Sequence, residues 1–205
     1  EIEFRMESNA FSFRVMSDSI YSDKPMAVLR ELGCNALDAH VAAGTDDKPF
    51  DVHLPNSFEP FFSIRDYGTG MSDADIKGIY TTYFGSTKRD TNKAIGMLGL
   101  GSKSPFAYTD QFNVTSYHEG TRSLYVLYIN PKGMPALKTV TSEPTDEPNG
   151  LEVDFAVSPD DFDVFADRAR KIFHRFPVLP NLKGNRDADL THVKYTMAGP
   201  GYKVR

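Results

Sequence analysis

The sequence predicts a two-layer α/β sandwich, with a mixed and largely antiparallel sheet and helices on one face. Three observations support this. Residues 111–157 fall into strand-length runs of apolar and β-branched side chains separated by turn residues, the pattern of antiparallel hairpins. Phe162, Phe165, Ala169, Ile172 and Phe176 recur at helical spacing, so residues 158–176 form an amphipathic helix that packs on a sheet. At 205 residues and 22.9 kDa the chain can bury one substantial core, which favours one large domain over two small ones.

In chain order, residues 11–16 alternate as a strand, with 1–6 as its partner or a loose arm. Residues 18–21 fit one helical turn. Ser22 or Asp23 then caps a long helix, with Pro25 near its first position and Gly44 at its end. Residues 50–54 and 60–65 read as strands joined by a turn at Pro55, Asn56 and Ser57. Asp66 stands at the end of the second. A helix begins at Ser72, with Asp73 and Asp75 in the first turn where acids complement the helix dipole. Residues 80–93 are polar, aromatic and unpatterned, a longer loop than a structural connection needs. After a glycine-rich stretch comes a short helix through Ala107, then strands at 111–117, 123–129, 136–141 and 151–157. Ser158 and Pro159 open the last helix. From Pro177 the sequence is loop-rich until a strand near 191–197, so 177–205 reads as the start of a connection to a following domain.

Twenty-three Lys and Arg against 28 Asp and Glu leave a net charge of −5, which argues against general nucleic-acid or anionic-membrane binding. Cys34, the single cysteine, excludes an intrachain disulfide and a cysteine zinc cluster and fits a reducing cytoplasm. No apolar run approaches the roughly 20 residues of a transmembrane segment, and no basic-then-apolar leader opens the chain. The chain starts at Glu1 without Met, as a part of a longer protein would.

The chemistry concentrates in three places. In the first helix Glu31, Asn35 and Asp38 are spaced i, i+4, i+7, within roughly 60° of one another, while Leu29, Leu32, Ala36 and Leu37 occupy other directions. Such a stripe is either a solvated face or a set of oxygens for a hard cation and its water. Gly68 and Gly70, then Gly96, Gly99 and Gly101, form two clusters that each precede a helix. They are tight turns, or they bring backbone amides to a ligand, the second cluster suiting phosphate with Lys103 adding charge. Asp66 tips the balance: a carboxylate at the end of a buried strand needs a donor, and the exocyclic amine of adenine is one. Tyr80, Tyr83 and Phe84 either clamp a nucleotide or pack on the sheet. The cluster Arg168, Arg170, Lys171, His174 and Arg175 either meets nucleic acid or complements a helix C-terminus. No histidines have metal-ligand spacing.

Residues 31–39, 66–71 and 96–101 resemble, in order and spacing, the N-box and the two glycine boxes of the GHKL ATPases, the superfamily of gyrase B, the heat-shock chaperones of that fold, MutL and the histidine kinases. Residues 83–88 and 99–109 look closest to one branch, the rIIA-like proteins of tailed phages, and the resemblance covers about residues 10–157. It implies the Bergerat ATP-binding fold, with ATP and magnesium held between the helices, the sheet and a lid at 80–93. By that resemblance Glu31 would be the general base, Asn35 would give its carboxamide oxygen to magnesium, and Asp38 would act through water. Asp66 would accept from the adenine amine, with Gly68, Gly70 and Met71 around the base. Gly96, Gly99, Leu100, Gly101, Ser102 and Lys103 would meet the phosphates, and Thr87 and Lys88 would reach the γ-phosphate from the lid.

Two departures matter. Many family members carry Gly-Thr on a late strand, with the Thr hydroxyl helping to hold adenine, whereas Gly150 is followed here by Leu151. Many also receive a catalytic Lys or Arg from a following domain, and no such residue can be assigned, so hydrolysis is expected to be slow. The resemblance leaves two functions open: a magnesium-dependent ATPase that times a conformational cycle, or a non-hydrolysing module that ATP gates toward a homodimer. Glu31 favours the first, because a binding module needs no base. A histidine kinase is disfavoured, since no helical hairpin with a phosphoacceptor His can be placed. The rIIA-like branch implies a phage protein in the infected host cytoplasm, with an unidentified protein partner.

Overall fold

The computed structural model describes residues 22–81, 101–184, 190, 197–199 and 202–204. The predicted arm and strand at 1–16, the turn at 18–21, most of the 80–93 loop and residues 191–196 lie outside the described residues.

Helix α1, Lys24–Ala43, starts where the sequence places it: Asp23 accepts from the Met26 amide at 3.1 Å, Pro25 occupies the first turn, and the Gly44 amide closes the last turn on the His40 and Val41 carbonyls. Strands β1 (Asp51–His53) and β2 (Phe61–Arg65) follow, then α2 (Asp73–Thr81). Ser72 caps α2, its hydroxyl accepting from the Asp75 amide at 3.2 Å. Ile76 and Tyr80 bury its inner face, and the Tyr80 ring packs in the core beside Phe112. A 3-10 helix, Gly101–Ala107, leads into β3 (Gln111–His118), β4 (Thr121–Ile129), β5 (Pro135–Pro144) and β6 (Gly150–Ala156). Helix α3 (Phe162–Phe173), β7 (Asn181–Lys183) and the small hairpin β8 (Met197–Gly199) and β9 (Tyr202–Val204) complete the described chain.

Among the described residues the main sheet has seven strands in the order β5-β4-β3-β6-β2-β1-β7, all antiparallel except the β1–β7 pair. It is the mixed, mostly antiparallel sheet that the hairpin pattern predicts. Register sets Val52, Ile64, Val153, Val114 and Tyr125 in one row across five strands, on the face that the helices cover. Arg65, Glu152 and Thr115 share a row on the other face, where the Arg65 guanidinium stands 3.6 Å over the Tyr117 ring. Helix α3 covers α1 and the sheet with Phe165, Ala166, Ala169 and Phe173. Gly33 on α1 meets it so closely that an added Cβ would stand 2.8 Å from the Phe173 ring.

Three elements differ from the sequence reading. Ser158 does not open an α-helix: Pro159–Asp161 is a 3-10 turn, and α3 starts at Phe162. The Tyr108 hydroxyl holds that turn, accepting from the Ser158 amide at 3.2 Å and donating to Asp161 at 2.6 Å. Phe176 lies past the end of α3 and packs against Phe50 and Phe173. Strand β7 falls in the stretch read as loop, because three residues between Pro180 and Gly184 carry no period and β1 supplies the pairing. The basic cluster on α3 has partners of its own. Arg168 donates to Asp23 at 2.7 Å, tying α3 to the cap of α1, and Lys171 pairs with Asp167. Among the described residues no helix is long and apolar enough to cross a membrane.

Candidate functional site

The polar stripe on α1 is covered. Glu31 keeps 24% of its side-chain surface, Asn35 is half-buried and Asp38 is 8% exposed. The covering element is the start of the 3-10 helix. A Cβ placed on Gly101 would stand 2.9 Å from Glu31 Oε2 and 3.6 Å from Asn35 Nδ2, so the end of the second glycine cluster lies directly on the carboxylate and the carboxamide. Glu31 Oε1 accepts from Arg30 at 3.0 Å, and Oε2 is the oxygen facing Gly101.

At the other end of α1 lies the first glycine turn. A Cβ on Gly68 would meet Ala39 Cβ at 2.9 Å, so the turn rests on the helix. Asp66 is buried. Its Oδ1 accepts from the Gly68 amide at 2.9 Å and the Leu151 amide at 3.2 Å, and its own amide donates to the Leu151 carbonyl at 2.9 Å. Among the described residues no hydrogen bond goes to Oδ2. Burial pushes the carboxyl up to about 6, against the pull of the two amides. Leu151, where the resemblance leads one to expect Thr, meets Asp66 through its backbone amide and carbonyl.

Gly70 adopts φ +69°, and a Cβ there would stand 2.0 Å from the Tyr117 carbonyl oxygen, an approach only glycine permits. Met71 is stitched to β3 by Ser116, whose hydroxyl accepts from the Met71 amide at 3.0 Å and donates to its carbonyl at 2.7 Å. Beside this turn opens a pocket of about 250 Å³, lined in part by Met71, Ser72, Asp73, Ser116 and Ser123. Lys103 is 5% exposed; its ammonium donates to the Ile79 carbonyl near the end of α2 at 2.7 Å and to the Ser102 hydroxyl at 3.3 Å. Burial lowers its pKa to about 8.

Two groups of predicted residues thus converge on one helix, Gly101 with Glu31 and Asn35, and the 66–68 turn with Ala39. Thr87, Lys88, Gly96, Gly99 and Leu100 lie outside the described residues. Sequence reasoning missed His40 and Ser116 as neighbours of the site. A polar residue on the apolar side of α1 was the available signal for His40, while Ser116 sits unremarkably in a strand. Among the described residues no group of three or more His, Cys, Asp and Glu could hold a metal ion. Magnesium carried in with a nucleotide takes most of its oxygens from phosphates and water, so the one carboxamide oxygen of Asn35 would suffice as a protein ligand, its Nδ2 being the atom that faces Gly101.

A family model described as "Histidine kinase-, DNA gyrase B-, and HSP90-like ATPase" matches residues 23–154, which span α1, both ends of the site and the sheet from β1 to β6. The chain belongs to this ATPase family. Chaperone protein HtpG of Sulfurovum sp. (strain NBC37-1) is similar at 27% identity over 154 residues, 63% of this chain and 24% of the chaperone. The chain therefore spans about a quarter of that relative's length. The matched segment holds every described residue of the candidate site, from Glu31 to Lys103.

Proposed function

We propose that the chain binds ATP with magnesium and hydrolyses it slowly, driving closure of the 80–93 lid and a conformational cycle. The observation that carries this reading is Asp66, a buried carboxylate with one oxygen committed to two backbone amides and the other without a protein donor among the described residues. An oxygen left over in this way supports a role in accepting from a ligand's N–H, and the adenine amine supplies one. Glu31 Oε2 and the Asn35 carboxamide at Gly101 support the phosphate end. In this reading Glu31 polarises the attacking water and Asn35 holds magnesium, which when bound neutralises phosphate charge.

The Arg30 guanidinium already occupies Glu31 Oε1 at 3.0 Å, which supports the alternative of a nucleotide-gated binding or dimerisation module. At the finest level we propose an rIIA-like phage protein, on the resemblance of residues 83–88 and 99–109. Calorimetric titration with ATP, ADP and GTP, with and without magnesium, tests the reading. Magnesium-dependent ATP binding with GTP excluded is expected; equal affinity for ATP and GTP would remove Asp66 from the role.

A further inference from the structure

We infer that His40 is a positioning residue for base recognition, holding the peptide after Asp66 so that its carboxylate faces the ligand. This rests on the adenine reading of Asp66. His40 lies on α1 two residues beyond Asp38 and is 1% exposed. Its Nε2 is 2.8 Å from the Tyr67 amide and its Nδ1 is 3.1 Å from the Lys48 carbonyl. A backbone N–H can only donate and a carbonyl can only accept, so Nδ1 carries the hydrogen and Nε2 offers its lone pair.

The Tyr67 N–H belongs to the peptide unit whose carbonyl is that of Asp66. That carbonyl oxygen lies where a Cβ on Gly150 would stand 2.0 Å away, and Gly150 has φ +151°. The peptide plane is thus gripped at its N–H edge by His40 and at its oxygen edge by the Gly150 backbone. Tyr67 is fixed again at its far end, where its hydroxyl donates to Asp51 at 2.9 Å. The other polar contacts that orient Asp66, from Gly68 and Leu151, are backbone groups that substitution leaves in place. His40 is, among the described residues, the side chain that hydrogen-bonds the Asp66–Tyr67 peptide itself, and that bond can be deleted by substitution.

The test compares ATP with inosine triphosphate, which keeps the sugar and phosphates but carries a carbonyl where adenine has its amine. In the full chain, wild type is expected to prefer ATP by about tenfold or more, the worth of one hydrogen bond to a charged group. His40→Gln, whose amide oxygen reaches the Nε2 position, should keep that preference. His40→Asn reaches only the Nδ1 position and His40→Leu neither, so both should narrow it to within about threefold. Amide exchange at Tyr67 in the nucleotide-free protein should quicken in the Asn and Leu variants and not in Gln. A general loss of packing would weaken both triphosphates together and leave their ratio intact. Retention of the full preference by Asn or Leu, or an unchanged Tyr67 exchange rate, overturns the inference while leaving the ATP reading standing. A wild type that binds neither triphosphate overturns both.

Discussion

Asp66 is the residue whose environment makes the strongest demands. In the fold it ionises near 6 and in the unfolded chain near its ordinary 3.8, so across that window the folded state keeps a proton the unfolded state has released. The resulting stability is complete below about pH 3.8 and is lost as pH rises to about 6, of order 3 kcal/mol in all. Asp66→Asn should therefore gain on wild type by that order between pH 4 and pH 7 in urea unfolding; parallel pH profiles would contradict the burial cost. The same substitution should weaken adenine-nucleotide binding by about 1.5 to 3 kcal/mol, read by calorimetry at pH 7.5. Glu31→Ala should abolish phosphate release while leaving ATP affinity nearly unchanged, because a base acts on the water rather than on the bound nucleotide. Wild-type turnover in that variant would take the base role away from Glu31. Ser104 Oγ is buried with no hydrogen-bond partner among the described residues, so Ser104→Ala should be neutral or stabilising by up to about 1 kcal/mol in thermal unfolding. Spacing on one helix made Glu31, Asn35 and Asp38 legible as a group, and a strand end made Asp66 so. The Ser104 hydroxyl and the two engaged nitrogens of His40 were not legible, because a hydrogen-bond ledger depends on partners far away in sequence.

At the scale of elements, α1 is the frame on which the site is hung. Asn35 stands against Gly101 near its middle and Ala39 against Gly68 near its end, so the two glycine turns are spaced by helix rise rather than by loops. Its opposite side meets α3 at Gly33, where the rings of Phe173 and Phe176 occupy the space of a side chain. Gly33→Ala should cost about 1 to 3 kcal/mol by overpacking, less up to about 1 kcal/mol regained in helix propensity, and a measured gain in stability would show that the rings can yield. The sequence announced α1 well because cap, proline and terminal glycine agreed with the apolar spacing. It announced α3 less well, since the 3-10 turn that leads into it is held by Tyr108, about fifty residues earlier, and no local pattern records that contact. Strand β7 was illegible for a related reason: three residues have no period, and their edge position is defined by β1.

For the molecule as a whole, hairpin order was readable from chain order through β3, β4 and β5, while the placement of β6 between β3 and β2 was not, because that choice is made by facing apolar rows. The family likeness ends at residue 154, but the helix that seals the first one comes later: Phe165 and Phe173 are fully buried, and the ion pair joining Arg168 to Asp23 closes a separation of 145 residues. A piece comprising residues 22–154 should therefore lack cooperative thermal unfolding, whereas residues 22–184 should show it by circular dichroism; cooperative melting of the shorter piece would show that α3 is dispensable. During synthesis the consequence is one of timing. The helix bearing the stripe leaves the ribosome well before α3, and its Gly33 side stays uncovered until α3 has been made, so the two ends of the site cannot lock until nearly the whole described chain is present.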